Sequence, residues 1–122
     1  MQITINGSIS VLNYNQKGTT TFNNAITPTG SNCLTDTVTL TTSSWYTIPT
    51  GSNKDLLLGV YTNNDTIDNI YLSFNNTSSI FSVLTPENPT TLLAWSGSAQ
   101  IYAHLSGSNA SASFGYQQFG ML

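Results

Sequence analysis

Lys54-Asp55-Leu56-Leu57-Leu58-Gly59-Val60-Tyr61-Thr62 is the stretch that decides the fold. A continuous apolar run bounded by turn-forming residues reads as a central strand covered on both faces. Asn63-Asn64-Asp65-Thr66 follows it and is a turn by composition. Residues 67–75 then alternate, with Ile70, Leu72 and Phe74 inward and Tyr71 outward.

The same signature continues in both directions. Downstream, residues 79–84 end at Pro86-Glu87-Asn88-Pro89, and runs at 90–95, 99–105 and 110–119 follow. Upstream, residues 44–48 form a short aromatic strand closed by Pro49-Thr50-Gly51. In residues 34–41, Leu34, Asp36, Val38 and Leu40 share one side, and the acid on that side predicts a strand beginning after it. Residues 19–26 close at Pro28-Thr29-Gly30. The first runs, 2–5 and 8–14, flank Asn6-Gly7, a candidate tight turn or bulge. No helical apolar stripe is present, and the spacing is that of sandwiches and jelly rolls. The prediction is an all-β chain: one antiparallel β-sandwich domain over 1–122, jelly-roll-like, with about eight to ten short strands. Its predicted core is Ile9, Val11, Val38, Leu40, Leu56, Leu58, Val60, Ile70, Leu72, Phe74, Leu84, Leu92, Ile101 and Ala103.

Only 6% of the 122 residues are charged, against roughly 25% in ordinary domains. Thr, Ser and Asn fill the gap, at about two residues in five. Such a surface gains solubility from hydroxyls and amides and lacks the charge repulsion that holds copies apart. This points to a chain that works as one of many in an assembly. Arg is absent, and Lys17 and Lys54 are the only cations, too few for a nucleic-acid backbone or an anionic membrane surface. No apolar stretch is long enough to span a bilayer as a helix. Residues 1–10 have neither a basic n-region nor an apolar h-region, so synthesis in the cytoplasm is expected. The Asn-x-Ser/Thr sequons at Asn6, Asn64, Asn75, Asn76 and Asn109 therefore carry little weight.

Catalysis finds little support. The carboxylates Asp36, Asp55, Asp65, Asp68 and Glu87 fall mainly in turns and at strand starts, not as a pair across a cleft. Serines are many, but no G-x-S-x-G elbow exists. Cys33, the single cysteine, reads as a small apolar residue, and His104 as a surface or interface side chain opposite in phase to Ile101 and Ala103. One His and one Cys do not make a zinc site. Asn63, Asn64, Asp65, Asp68 and Asn69 gather oxygen ligands suited to calcium, but turn chemistry accounts for them equally. No catalytic residue, metal or cofactor is expected. The aromatics Trp45, Tyr46, Tyr61, Tyr71, Trp95, Tyr102 and Tyr116 suit core, protein interface or sugar stacking alike.

Asp55–Asn63, Ile70-Tyr71-Leu72-Ser73-Phe74-Asn75, Phe81-Ser82-Val83-Leu84-Thr85-Pro86 with Thr91-Leu92-Leu93-Ala94-Trp95, and Ala99-Gln100-Ile101-Tyr102-Ala103-His104-Leu105-Ser106-Gly107 form a pattern over roughly the last seventy residues. It resembles that of small all-β virion proteins of tailed bacteriophages, such as capsid cement or decoration proteins and head-fibre modules. The resemblance implies a non-enzymatic virion protein packing on a major capsid protein lattice and on its own copies, as a trimer or other homo-oligomer. It carries over no catalytic residues. The intersubunit segments would be 1–6 and 114–122, with Ile3, Ile5, Trp45, Tyr46, Trp95, Phe119, Met121 and Leu122 as interface candidates. The alternative is a host-surface glycan- or receptor-binding module of a fibre or tail.

Overall fold

The computed structural model describes residues 3–12, 17–26, 31–94, 98–108 and 110–121, though not every side chain within them. Among the described residues ten strands run in chain order: β1 (Ile3–Leu12), β2 (Lys17–Ile26), β3 (Ser31–Thr41), β4 (Tyr46–Thr47), β5 (Asp55–Asn63), β6 (Asn69–Phe74), β7 (Ile80–Leu84), β8 (Thr90–Ala94), β9 (Ile101–Ser106) and β10 (Ser111–Met121). Among the described residues there is no helix.

Two four-stranded antiparallel sheets make the sandwich, in the orders β3-β10-β5-β8 and β4-β9-β6-β7. From β3 to β6, and again from β7 to β10, the chain changes sheet at every connection. The β6–β7 hairpin joins the two halves within one sheet. Eight strands wound this way are a jelly roll, as predicted. Between the sheets lies a core that draws Leu40, Tyr61, Ala112, Phe114 and Tyr116 from one side and Ile70, Leu72, Leu84, Ile101, Ala103 and Leu105 from the other.

β5 is central, as its apolar run predicts, but its alternation is broken. β10 pairs Phe119 with Leu58 and then Gly120 with Leu56, so Leu57 is the extra residue of a bulge. Past the bulge the inward phase falls on Gly59, Tyr61 and Asn63, all buried, while Val60 is only half-buried. Tyr61, fully buried, therefore takes the core place expected of Val60.

Other expectations need correction. Leu92 is 48% exposed, because β8 pairs Leu93, not Leu92, with the inward-facing Gly59. In a Leu-Leu pair either residue can take the inner phase, and the register decides. β3 starts at Ser31 and runs through Asp36. It is an edge strand, so the acid reaches water past the rim of the sheet and stays exposed. Asn6-Gly7 is no turn: both residues lie inside β1, paired with Asn23 and Phe22. β1 and β2 form a two-stranded sheet of their own, and the side chains of Ile9 and Val11 lie outside the described residues.

Polar groups inside the sandwich are matched to one another. The Tyr61 hydroxyl donates to Gln118 Oε1 at 2.8 Å, and Gln118 Nε2 donates to the Pro49 carbonyl at 2.8 Å. Burial pushes the Tyr61 phenol above its ordinary value of about 10. Tyr116 is pushed up to about 12, by burial first, then by the Tyr46 hydroxyl beside it and by Asp36. Both raised values act in the same sense. The unfolded chain loses these protons near pH 10, before the folded one does, so their contribution is intact below about pH 10 and declines as pH rises toward 12. Tyr61→Phe leaves Gln118 Oε1 without its donor and is expected to cost about 1–3 kcal/mol. The variant should also lose less of its remaining stability between about pH 8 and pH 11 than the parent does. Urea unfolding at the two pH values measures both effects.

Candidate binding face

Strand alternation gives the sandwich two outer faces of different chemistry. On sheet β4-β9-β6-β7, Ile101, Ala103 and Leu105 point inward, and Tyr102, His104 and Ser106 face out, half-buried. The β6–β9 register sets Tyr71 opposite His104 and Ser73 opposite Tyr102. The β6–β7 register adds Val83 beside Tyr71 and Ile80 beside Ser73. On the other flank, Trp45, just before β4, lays its ring against His104 with centroids 4.9 Å apart at 42°. One row therefore reads Trp45, His104, Tyr71, Val83, and the next Thr47, Tyr102, Ser73, Ile80.

None of the chain's acids or lysines falls in these two rows. Val83 and Ile80 are 43% and 49% exposed on β7, one of the two outer strands of that sheet. Phe81, at the β6–β7 irregularity, meets Phe74 edge-on with ring centroids 6.3 Å apart and stays exposed. The result is an uncharged aromatic and aliphatic strip ending at a strand edge that no further strand of the described residues pairs with.

The opposite outer face mixes threonine hydroxyls with an amide and apolar side chains. Thr37, Gly115, Thr62 and Thr90 lie in one cross-strand row, and Thr35, Gln117, Val60 and Leu92 in the next. Gly115 leaves a dent within a shallow groove of about 280 Å³. Thr62 and Thr90 hydroxyls lie 3.4 Å apart, and Asn64 Nδ2 donates to Ser113 Oγ at 3.5 Å.

The other sequence candidates are dispersed. Tyr46 is partly buried against the core. Phe119 is half-buried in β10, paired with Cys33 and Leu58. The backbone of Met121 pairs with Ser31 and Asp55, so most of segment 114–122 is an inner strand of the chain's own sheet. Ile3 and Ile5 lie on β1 opposite Ile26 and Asn24, with side chains outside the described residues, as is that of Met121. Trp95 and Leu122 lie outside the described residues altogether. Tyr61 and Tyr116 serve the core, whereas Tyr71 and Tyr102 join Trp45.

Cys33 and His104 sit on different sheets. Cys33 is half-buried and 3.9 Å from Gln117 Nε2. The acid-rich turn engages its oxygens with backbone N–H groups. Asp65 Oδ2 accepts from Asp68 N at 2.6 Å, and Asp68 Oδ1 from Ser108 N at 3.1 Å. Among the described residues no three His, Cys, Asp or Glu side chains are grouped to hold a metal ion, and no helix is long and apolar enough to cross a membrane. The outward direction of Tyr71 and His104 was readable from alternation. Their meeting was not, because it depends on β6 and β9 pairing across the 26 intervening residues of chain. No protein-family model, curated protein or solved structure matches the chain.

Proposed function

We propose that this protein is a non-enzymatic structural component that packs through the Trp45–His104–Tyr71–Val83 strip against its own copies and a neighbouring lattice. The finer reading is a cement or decoration protein on the major capsid protein of a tailed bacteriophage head. The observation that carries the proposal is that uncharged strip running out to the open edge of β7. Aromatic side chains are the usual anchors of protein interfaces, and an unpaired edge offers backbone hydrogen bonds to a partner strand. The near absence of charge fits a surface surrounded by like surfaces.

Sedimentation of the full chain over a concentration series tests this, together with co-sedimentation on phage heads stripped of their decoration. Tyr71→Glu combined with Val83→Lys should weaken association about tenfold or more, equivalent to 1.4 kcal/mol. Its melting temperature should stay near that of the parent, since both side chains face outward. A parent chain that remains monomeric and leaves the heads unbound, or a double variant that associates as well as the parent, would remove the proposal.

A further inference from the structure

His104 is the chain's single histidine, and the fold sets it in the middle of the aromatic strip. β9 holds it outward in phase with Tyr102 and Ser106, half-buried. The Trp45 ring lies against it on one flank, with centroids 4.9 Å apart, and Tyr71 stands opposite it on the other. In the adjoining rows stand Thr47, Tyr102 and Ser73 on one side, and Asn69 and Ser106 on the other.

No strand of this sheet carries an acid or a lysine: β4, β6, β7 and β9 contain none. Their other titratable side chains are the phenols of Tyr46, Tyr71 and Tyr102, and phenols as a class ionise only near pH 10. Imidazole is the side chain that ordinarily changes charge between about pH 5 and pH 8. The outer face of this sheet therefore has one switchable charge, at the centre of the strip.

The two charge states fare differently when the strip is covered. In a free copy, water reaches the half-exposed ring, and the face of an indole within about 6 Å also favours a cation. Packing removes the water. Trp45 lies beside the ring in both states and cannot make up for that loss. A second copy presenting the same strip brings no carboxylate, and a two-fold contact brings its own His104 into the same interface. A desolvated cation with no counter-charge is costly, and two of them repel. Packed copies thus hold the proton less readily than free ones. By linkage, association is complete above the range in which imidazole titrates and is lost as pH falls through it. We infer that His104 makes the packing of copies of this chain pH-sensitive: they hold together near neutral pH and separate in mild acid. The inference rests on the strip being the contact surface, as proposed above.

The test is sedimentation of the untagged full chain over a concentration series at about pH 7.5 and about pH 5.0, at equal ionic strength. The parent should associate at least tenfold more weakly at the lower pH, equivalent to about 1.4 kcal/mol. His104→Gln, which stays neutral throughout, should associate equally at the two values. Because the histidine is unique, its imidazole C–H proton signal can be followed by NMR without assignment. Its titration midpoint in the parent should lie lower in a concentrated, associated sample than in a dilute one. A parent that is monomeric at pH 7.5 removes both the strip and the switch. A parent that associates equally at both pH values overturns the switch alone. So does a midpoint unmoved by association, or a His104→Gln variant that acid weakens as much as the parent.

Discussion

Asn63→Leu is expected to lower the stability of the sandwich by about 3–6 kcal/mol, as the sum of several unmatched groups at roughly 1–3 kcal/mol each. Asn63 is 3% exposed at the end of β5. Its Nδ2 donates to the carbonyls of Asp68 and Leu84, both at 2.9 Å, and its Oδ1 accepts from Asp65 N at 2.8 Å. Leu84 ends β7 and Asp68 precedes β6, so one amide ties a strand of one sheet to two segments of the other. Leucine is close in size but matches none of the three backbone groups. Asn63→Asp is expected to be no better: it keeps the acceptor, loses both donors, and sets a carboxylate against two carbonyl oxygens. For a chain of this length the loss corresponds to a melting point lower by about 10–20 °C. Thermal unfolding followed by circular dichroism measures it, and a shift of only a degree or two would show that these bonds are replaceable.

The second large effect is expected at Phe114, which is fully buried. Its ring lies parallel to that of Tyr61, with centroids 6.4 Å apart at 3°, and tilts against Tyr116 at 6.3 Å. It sits on β10, paired with Val38 on one side and Asn63 on the other. Phe114→Ala removes most of a buried ring from between two rigid neighbours, so the site cannot collapse well, and about 3–5 kcal/mol should be lost. Against a total of about 5–15 kcal/mol, either substitution leaves a marginal protein. Because Phe114 and Asn63 face each other across the register, their effects should not add, and a double-mutant cycle in urea should show a coupling of about 0.5 kcal/mol or more.

Much of the fold was legible from residues 54–62 and the alternating runs around them, because strand period and turn residues are local properties. β9 illustrates this: Ile101, Ala103 and Leu105 are buried in the predicted phase. What escaped was long-range. The inner member of Leu92-Leu93 is chosen by Gly59 on another strand, and the bulge at Leu57 by the register of β10. Asp36 looked like a strand boundary only because its place at a sheet edge could not be known from its neighbours. The binding face was half legible. Tyr71 and His104 could be assigned a direction, but not each other as partners. Asn53 gave no sequence signal at all: an Asn in a Gly-Ser-Asn-Lys loop reads as turn chemistry, yet its side-chain amide is buried with neither end hydrogen-bonded.

The place of β10 between β3 and β5 also constrains how the molecule comes into being. The strand that completes the middle of that sheet leaves the ribosome after the other nine. Until it inserts, β3 and β5 present bare, adhesive borders to the crowded interior of the cell. Completion of this sheet must then wait for β10, at the slow pace of distant pairings, with nascent copies dependent on dilution or chaperone shelter during that interval.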